Sequence, residues 1–114
     1  VIVHGLLPEA ARERMLAAAE RDLAAAVQPL EYEADLQYPG APPSRESPGG
    51  RTVRRLLQAC ARDEAFRAAA TAPAIAGRLR QLLGPQVALA QAHHNCVMTK
   101  QPQYSSQTLW HRDI

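Results

Sequence analysis

Apolar positions in the first quarter of the chain recur at helical spacing. Leu16, Ala19, Leu23, Ala26, Val27 and Leu30 form one stripe, with Glu and Arg filling the positions between. Pro8 stands where a first helical turn tolerates it, and Glu9 follows at the positive end of the dipole, so the pattern predicts a helix from Pro8 to about Val27. Val1 to Leu7 reads as a short strand or an extended lead-in. From Gln28 to Gly50 the pattern breaks down: Pro29, Pro39, Pro42, Pro43 and Pro48 alternate with Gly40, Gly49 and Gly50, the signature of a long irregular connection. Val53, Leu56, Leu57 and Cys60 then sit at i, i+3, i+4 and i+7 and predict a short amphipathic helix. A further helical stretch carries Phe66. Thr71 reads as the N-cap of a helix that starts at Pro73, bears Ile75, Leu79, Leu82 and Leu83 on one side, and stops at Gly84-Pro85.

The period changes at Gln86. From there to Lys100 no charge appears before the last position, and the stretch fits one extended strand or two short ones. One parity carries Val87, Leu89, Gln91, His93, Asn95 and Val97; the other carries Ala88, Ala90, Ala92, His94, Cys96, Met98 and Lys100. Gln101-Pro102 interrupts, Tyr104-Ser105-Ser106 reads as loop, and Thr108 to Ile114 resumes as strand. The expected class is therefore α+β, with residues 1–85 mainly helical around the loop at 28–50 and strands confined to 86–114. Strands that begin this late make an unfinished sheet. With a first residue that is not Met, the 114 residues read as one partial domain of a longer protein.

Composition narrows the function classes. The net charge is +2, from 13 basic and 11 acidic residues that are scattered along the chain, so neither a nucleic-acid footprint nor a polybasic membrane patch is expected. No apolar run approaches the ~18 residues of a membrane span, and no signal peptide is evident. Cys60 and Cys96 are far apart and outside any CxxC arrangement, which reads as two free, buried thiols in a reducing cytoplasm. The remaining chemistry collects at the end, in Trp110-His111-Arg112-Asp113. On a strand, residues i and i+2 share a face, so His111 and Asp113 would converge while Arg112 points away. One imidazole and one carboxylate are two members of the 2-His-1-carboxylate triad that holds non-haem Fe(II) and leaves positions open for substrate and oxygen.

The run Ala92-His93-His94-Asn95-Cys96-Val97-Met98-Thr99-Lys100-Gln101-Pro102, followed by a short loop and Trp110-His111-Arg112-Asp113, resembles the phytanoyl-CoA dioxygenase family of Fe(II)/2-oxoglutarate-dependent oxygenases. "HGLLPEAARERM" looks like that family's N-terminal helix, and "RTVRRLLQACARDEAFRAAATAPAIAGRLRQLLG" like its arginine-started helical pair closing on Leu-Leu-Gly. The resemblance implies N-terminal helices followed by the first strands of a double-stranded β-helix, or jelly roll, incomplete in this chain. It implies iron bound by His111 and Asp113. A second histidine and a group for the distal carboxylate of 2-oxoglutarate would come after residue 114, and residues 1–114 alone are accordingly expected to be inactive. Related halogenases carry Ala or Gly where this chain has Asp113, so the resemblance favours hydroxylation of a small organic substrate with O2, giving succinate and CO2. It also turns the face of His94, Cys96, Met98 and Lys100 toward the cosubstrate. The family often has Asn or Gln there, so His94 and Met98 are departures. Asn95 has suitable chemistry but faces the other way unless a bulge shifts the register.

Each of these positions has a plainer reading. His111 and Asp113 could be a strand surface pair, and His93-His94 one core and one exposed histidine. Lys100, the sole lysine, could be a solvated strand end. Trp110 reads as packing beside the site, and Arg51, Arg54 and Arg55 as solvated or loop-pinning. His111-Arg112-Asp113 before an aliphatic residue also matches the protein-kinase catalytic loop, but no Gly-rich loop precedes it and the upstream sequence is helical, so that reading is rejected. The alternative to an oxygenase is a catalytically silent relative acting as a binding or scaffold protein.

Overall fold

In the computed structural model, which describes residues 2–92, 94–101 and 106–111, the centre of the molecule is a strand where the sequence pattern predicts a helix. The helices and strands in chain order are α1 (Glu9–Ala24), β1 (Leu30–Tyr32), α2 (Glu33–Leu36), β2 (Val53–Leu57), α3 (Ala59–Arg62), α4 (Glu64–Ala70), α5 (Pro73–Leu83) and β3 (Cys96–Met98). β2 lies between β1 and β3, antiparallel to both. Leu30, Leu56 and Val97 align across the three strands, and Leu56 is fully buried. Arg54 and Leu56 turn to one face; Val53, Arg55 and Leu57 turn to the other. Helical spacing of Val53, Leu56, Leu57 and Cys60 is thus a coincidence of a short run. Backbone pairing on both edges decides for the strand, and only Cys60 falls on a helix, α3.

α1 forms where expected and ends at Ala24, with the Arg12 and Glu9 side chains paired in its first turn. Its packed stripe is shifted from the predicted one: Ala19 is buried as expected, but with Ala18 and Asp22 beside it, whereas Leu16 and Val27 are exposed. Small residues let the helix lie close to β2 and α4, and the buried Asp22 is neutralised by Arg62 at 3.1 Å. Arg62 also donates to the carbonyls of Leu57 (2.6 Å), Val27 (3.1 Å) and Pro29. One guanidinium therefore joins the end of α1, the chain leaving it, β2 and α3.

The helical pair after β2 holds with one correction. Thr71 does not cap α5; its hydroxyl donates to the Arg67 carbonyl at the end of α4, and Ala72 precedes the helix. α4 itself is capped by Asp63, whose carboxylate accepts from the Ala65 N–H at 2.9 Å. That bond, with Arg21 nearby, holds the Asp63 carboxyl below its ordinary range. α5 has the predicted Leu79, Leu82 and Leu83, but no residue of it is buried among the described residues.

The Pro/Gly-rich connection is more ordered than its composition suggests. It contains β1 and α2, and Arg45 pairs with Asp35 at 2.6 Å while lying over the Tyr32 ring. Arg45, together with the Tyr32 N–H, lowers the Asp35 carboxyl from its ordinary range. Gly50 is required by close approach: a Cβ there would stand 2.0 Å from the Ser44 carbonyl oxygen. Among the described residues of the predicted strand 86–100, Cys96–Met98 form the strand, because the alanine-rich stretch before them offers little of the β-branched surface that a ladder rewards. Thr108 to His111 is likewise not a strand. Its neighbour Gln107 donates its backbone N–H to the Pro39 carbonyl at 2.8 Å, in a loop and not a ladder. The described residues thus form a mixed α+β arrangement of helices around a small antiparallel sheet.

Candidate functional site

The segment from Ser106 to His111 is held against the rest of the molecule by buried polar contacts. Glu33, the first residue of α2, accepts from the Ser106 N–H at 3.1 Å through Oε2. Its Oε1 faces Arg54 Nε at 3.5 Å, an ion pair longer than a hydrogen bond, with both side chains buried. Arg54 then donates through Nη1 to the Thr99 carbonyl and through Nη2 to Thr108 Oγ1 at 3.2 Å. Arg54 is therefore loop-pinning and not solvated. Glu33, Ser106 and Thr108 were not visible as site-forming residues, since they lie far apart in sequence and carry no motif. The one available signal was Arg54 sharing the parity of Leu56 in a strand that the pattern concealed.

His111 is exposed and lines a cleft of ≈ 260 Å³ with Tyr38, Pro39, Gln107, Thr108 and Leu109. Its Nδ1 lies 2.8 Å from the Leu109 carbonyl oxygen. A carbonyl only accepts, so Nδ1 carries the proton, and in the neutral ring Nε2 carries the lone pair. Fixing one ring nitrogen on a backbone carbonyl is the usual way a metal-ligating histidine is oriented, so this residue fits the metal assigned to it. Asp113 lies outside the described residues, as does His93. Among the described residues no group of three His, Cys, Asp or Glu side chains stands together. Trp110 is fully exposed, so it does not pack among the described residues as expected.

Across the sheet, Arg55 pairs with Met98 in register and Leu57 with Cys96, which places Met98 and Cys96 on the face of Arg55. Arg55 is bound to Glu31 at 3.3 Å and to the Tyr38 hydroxyl, and Tyr38 is also a wall of the His111 cleft. His94 and Lys100, on either side of β3, are exposed, as is Met98. None of the three lines the His111 cleft. Asn95 is buried: Oδ1 accepts from the Cys60 N–H at 2.9 Å, and Nδ2 donates to the Ala90 carbonyl at 2.7 Å and approaches Cys60 Sγ at 3.2 Å. Both ends of its amide are engaged with the chain itself. Cys60 and Cys96 are free and half-buried. No helix among the described residues is long and apolar enough to cross a membrane.

No curated protein and no solved structure matches the chain. The family model for phytanoyl-CoA dioxygenase matches residues 1–114, from the first helix through the His-x-Asp motif. That family generally comprises Fe(II)/2-oxoglutarate-dependent oxygenases. With the whole length of the chain matched, the protein belongs to the phytanoyl-CoA dioxygenase family.

Proposed function

We propose that the protein is an Fe(II)/2-oxoglutarate-dependent dioxygenase that hydroxylates a small organic substrate with O2, releasing succinate and CO2. The observation that carries this reading is the oriented His111 ring at the mouth of a cleft, in a chain that matches the family over its whole length. His111 and Asp113 would hold the metal, with the third protein ligand supplied downstream as the family resemblance implies. When bound, Fe(II) supplies oxygen activation coupled to decarboxylation of the cosubstrate.

The chain's own residues position and shield. The Leu109 carbonyl keeps the proton on His111 Nδ1 and so presents Nε2 as the donor atom. Tyr38, Pro39 and Leu109 supply apolar walls to the cleft beside it. Lys100, just after β3, offers a cation suited to a dicarboxylate, with Met98 on the strand and His94 just before it as cosubstrate or substrate contacts. Asn95 contributes to that edge by pinning the start of β3 to α3. β1–β3 would be extended into a jelly roll by later strands. Two unpaired thiols fit a reducing compartment, and the cytoplasm is the proposed location.

The test is 2-oxoglutarate-dependent succinate formation by the full-length protein with Fe(II). The parent is expected to turn over and Asp113→Ala to be inactive, because no neighbouring group replaces a charged metal ligand. Absence of turnover in the parent, across a range of small substrates and with metal bound, would favour a silent relative that binds without catalysing.

A further inference from the structure

The Glu33–Arg54 pair sits where it can act on the metal site from a distance. Burying an ion pair carries a desolvation cost that an apolar pair of similar volume avoids. Arg54 stands on β2, yet two of its guanidinium nitrogens leave the sheet. One reaches the Thr99 carbonyl beside Lys100, and the other the Thr108 hydroxyl at 3.2 Å. Glu33 takes the Ser106 N–H at 3.1 Å. Thr99 is fixed a second and third time, by its hydroxyl on the Val53 carbonyl at 2.5 Å and by its N–H on the Arg54 carbonyl at 3.0 Å. The pair therefore grips the chain on both sides of the connection between β3 and the His-x-Asp motif, and Thr108 is three residues from His111. The same Thr108 lines the His111 cleft.

We propose that Glu33 and Arg54 are positioning residues of the metal site: through Ser106 and Thr108 they hold His111 in fixed relation to the Lys100 end of β3 and so set metal affinity. Neither touches the metal. This inference rests on His111 and Asp113 being the ligands. A ligand mispositioned by a fraction of an ångström weakens binding without unfolding the domain, which separates positioning from mere support. Arg54 serves better than lysine here because its planar fork reaches Thr99 and Thr108 at once while facing Glu33.

The experiment uses the full-length protein, with Mn(II) as the probe, bound metal read by electron paramagnetic resonance, and the thermal midpoint measured alongside. Thr108→Val removes the acceptor of Arg54 at an exposed position, with little change in size. It is expected to keep the parent's midpoint and to weaken Mn(II) binding on the order of five- to tenfold, about the net worth of one hydrogen bond at an exposed position. Thr108→Ser is expected to restore parental affinity. Arg54→Lys, which keeps the charge, is expected to weaken binding similarly, with Thr108→Val adding nothing on that background. Parental Mn(II) affinity in Thr108→Val, while Asp113→Ala has lost binding, would overturn the positioning role and leave the metal site standing. Parental affinity in Asp113→Ala would overturn the ligand assignment and this inference with it.

Discussion

Arg62 and Arg54 are both buried arginines paired with buried carboxylates, Asp22 and Glu33, and both spend further N–H groups on backbone carbonyls. What they join is different. Arg62 ties the end of α1 to Val27, Pro29 and Leu57, all parts of the scaffold. Arg54 ties the scaffold to Thr99 and Thr108, on the segments flanking the proposed site. The same five-donor fork thus serves once to close the fold and once to hold a site segment against it. If that comparison is right, damage at the first should appear as lost stability and damage at the second also as lost ligand geometry.

The largest stability effect is expected from Arg62→Met, which leaves the buried Asp22 with the exposed Arg21 as its ion-pair partner among the described residues. A loss of about 3–5 kcal/mol in urea unfolding is expected, with the folded fraction binding metal as the parent does. Next comes Lys100→Ala, which leaves the fold intact and removes the charge assigned to the dicarboxylate. Succinate formation against 2-oxoglutarate concentration is expected to shift by roughly five- to a hundredfold, about 1–3 kcal/mol. An unchanged curve would make Lys100 a solvated strand end. Gly50→Ala forces a Cβ onto the Ser44 carbonyl and is expected to cost about 1–3 kcal/mol of stability. Because Gly50 also accepts from the Ala34 N–H beside Glu33, part of its effect is expected in Mn(II) affinity as well.

The smallest effect concerns Asp63 and acid. Its carboxyl is lowered by the Ala65 N–H and by Arg21, so the folded state takes up the proton less readily than the unfolded chain. The stabilisation is complete above the ordinary aspartate value of 3.8 and is lost as pH falls through the lowered one. Asp63→Ala removes the cap and is expected to lower stability slightly at neutral pH. Its acid unfolding limb is expected to be shallower than the parent's, as read by circular dichroism.

α1 and α5 were legible because each carries enough turns for its period and its ends to agree, whereas the one-turn α2 was hidden in the Pro/Gly-rich connection. Pro8 and Glu9 mark the start of α1, and Pro73 and Gly84 bracket α5. β2 was not legible, since a run as short as Val53–Leu57 satisfies both periods and the deciding hydrogen bonds come from β1 and β3. The buried stripe of α1 was misplaced because Asp22 counts as polar in sequence, yet its charge is matched by an arginine on α3. In the site, His111 was legible as a residue type in a motif. Its support was not, because Glu33, Arg54 and Thr108 meet only after the chain has folded back on itself. Of the strand expected at Thr108 to Ile114, the described residues Thr108 to His111 are not extended into a ladder for the same reason: Gln107 finds the Pro39 carbonyl in a loop whose path composition does not encode.

If His111 is a metal ligand next to the cosubstrate site, anaerobic titration of the full-length protein with Fe(II) in the presence of 2-oxoglutarate reads it through the visible absorption of the iron–oxoglutarate chelate. A saturable, one-to-one absorption change is expected in the parent and its loss in His111→Ala, with both proteins unfolding at similar temperatures. An unchanged titration in a folded His111→Ala protein would contradict it.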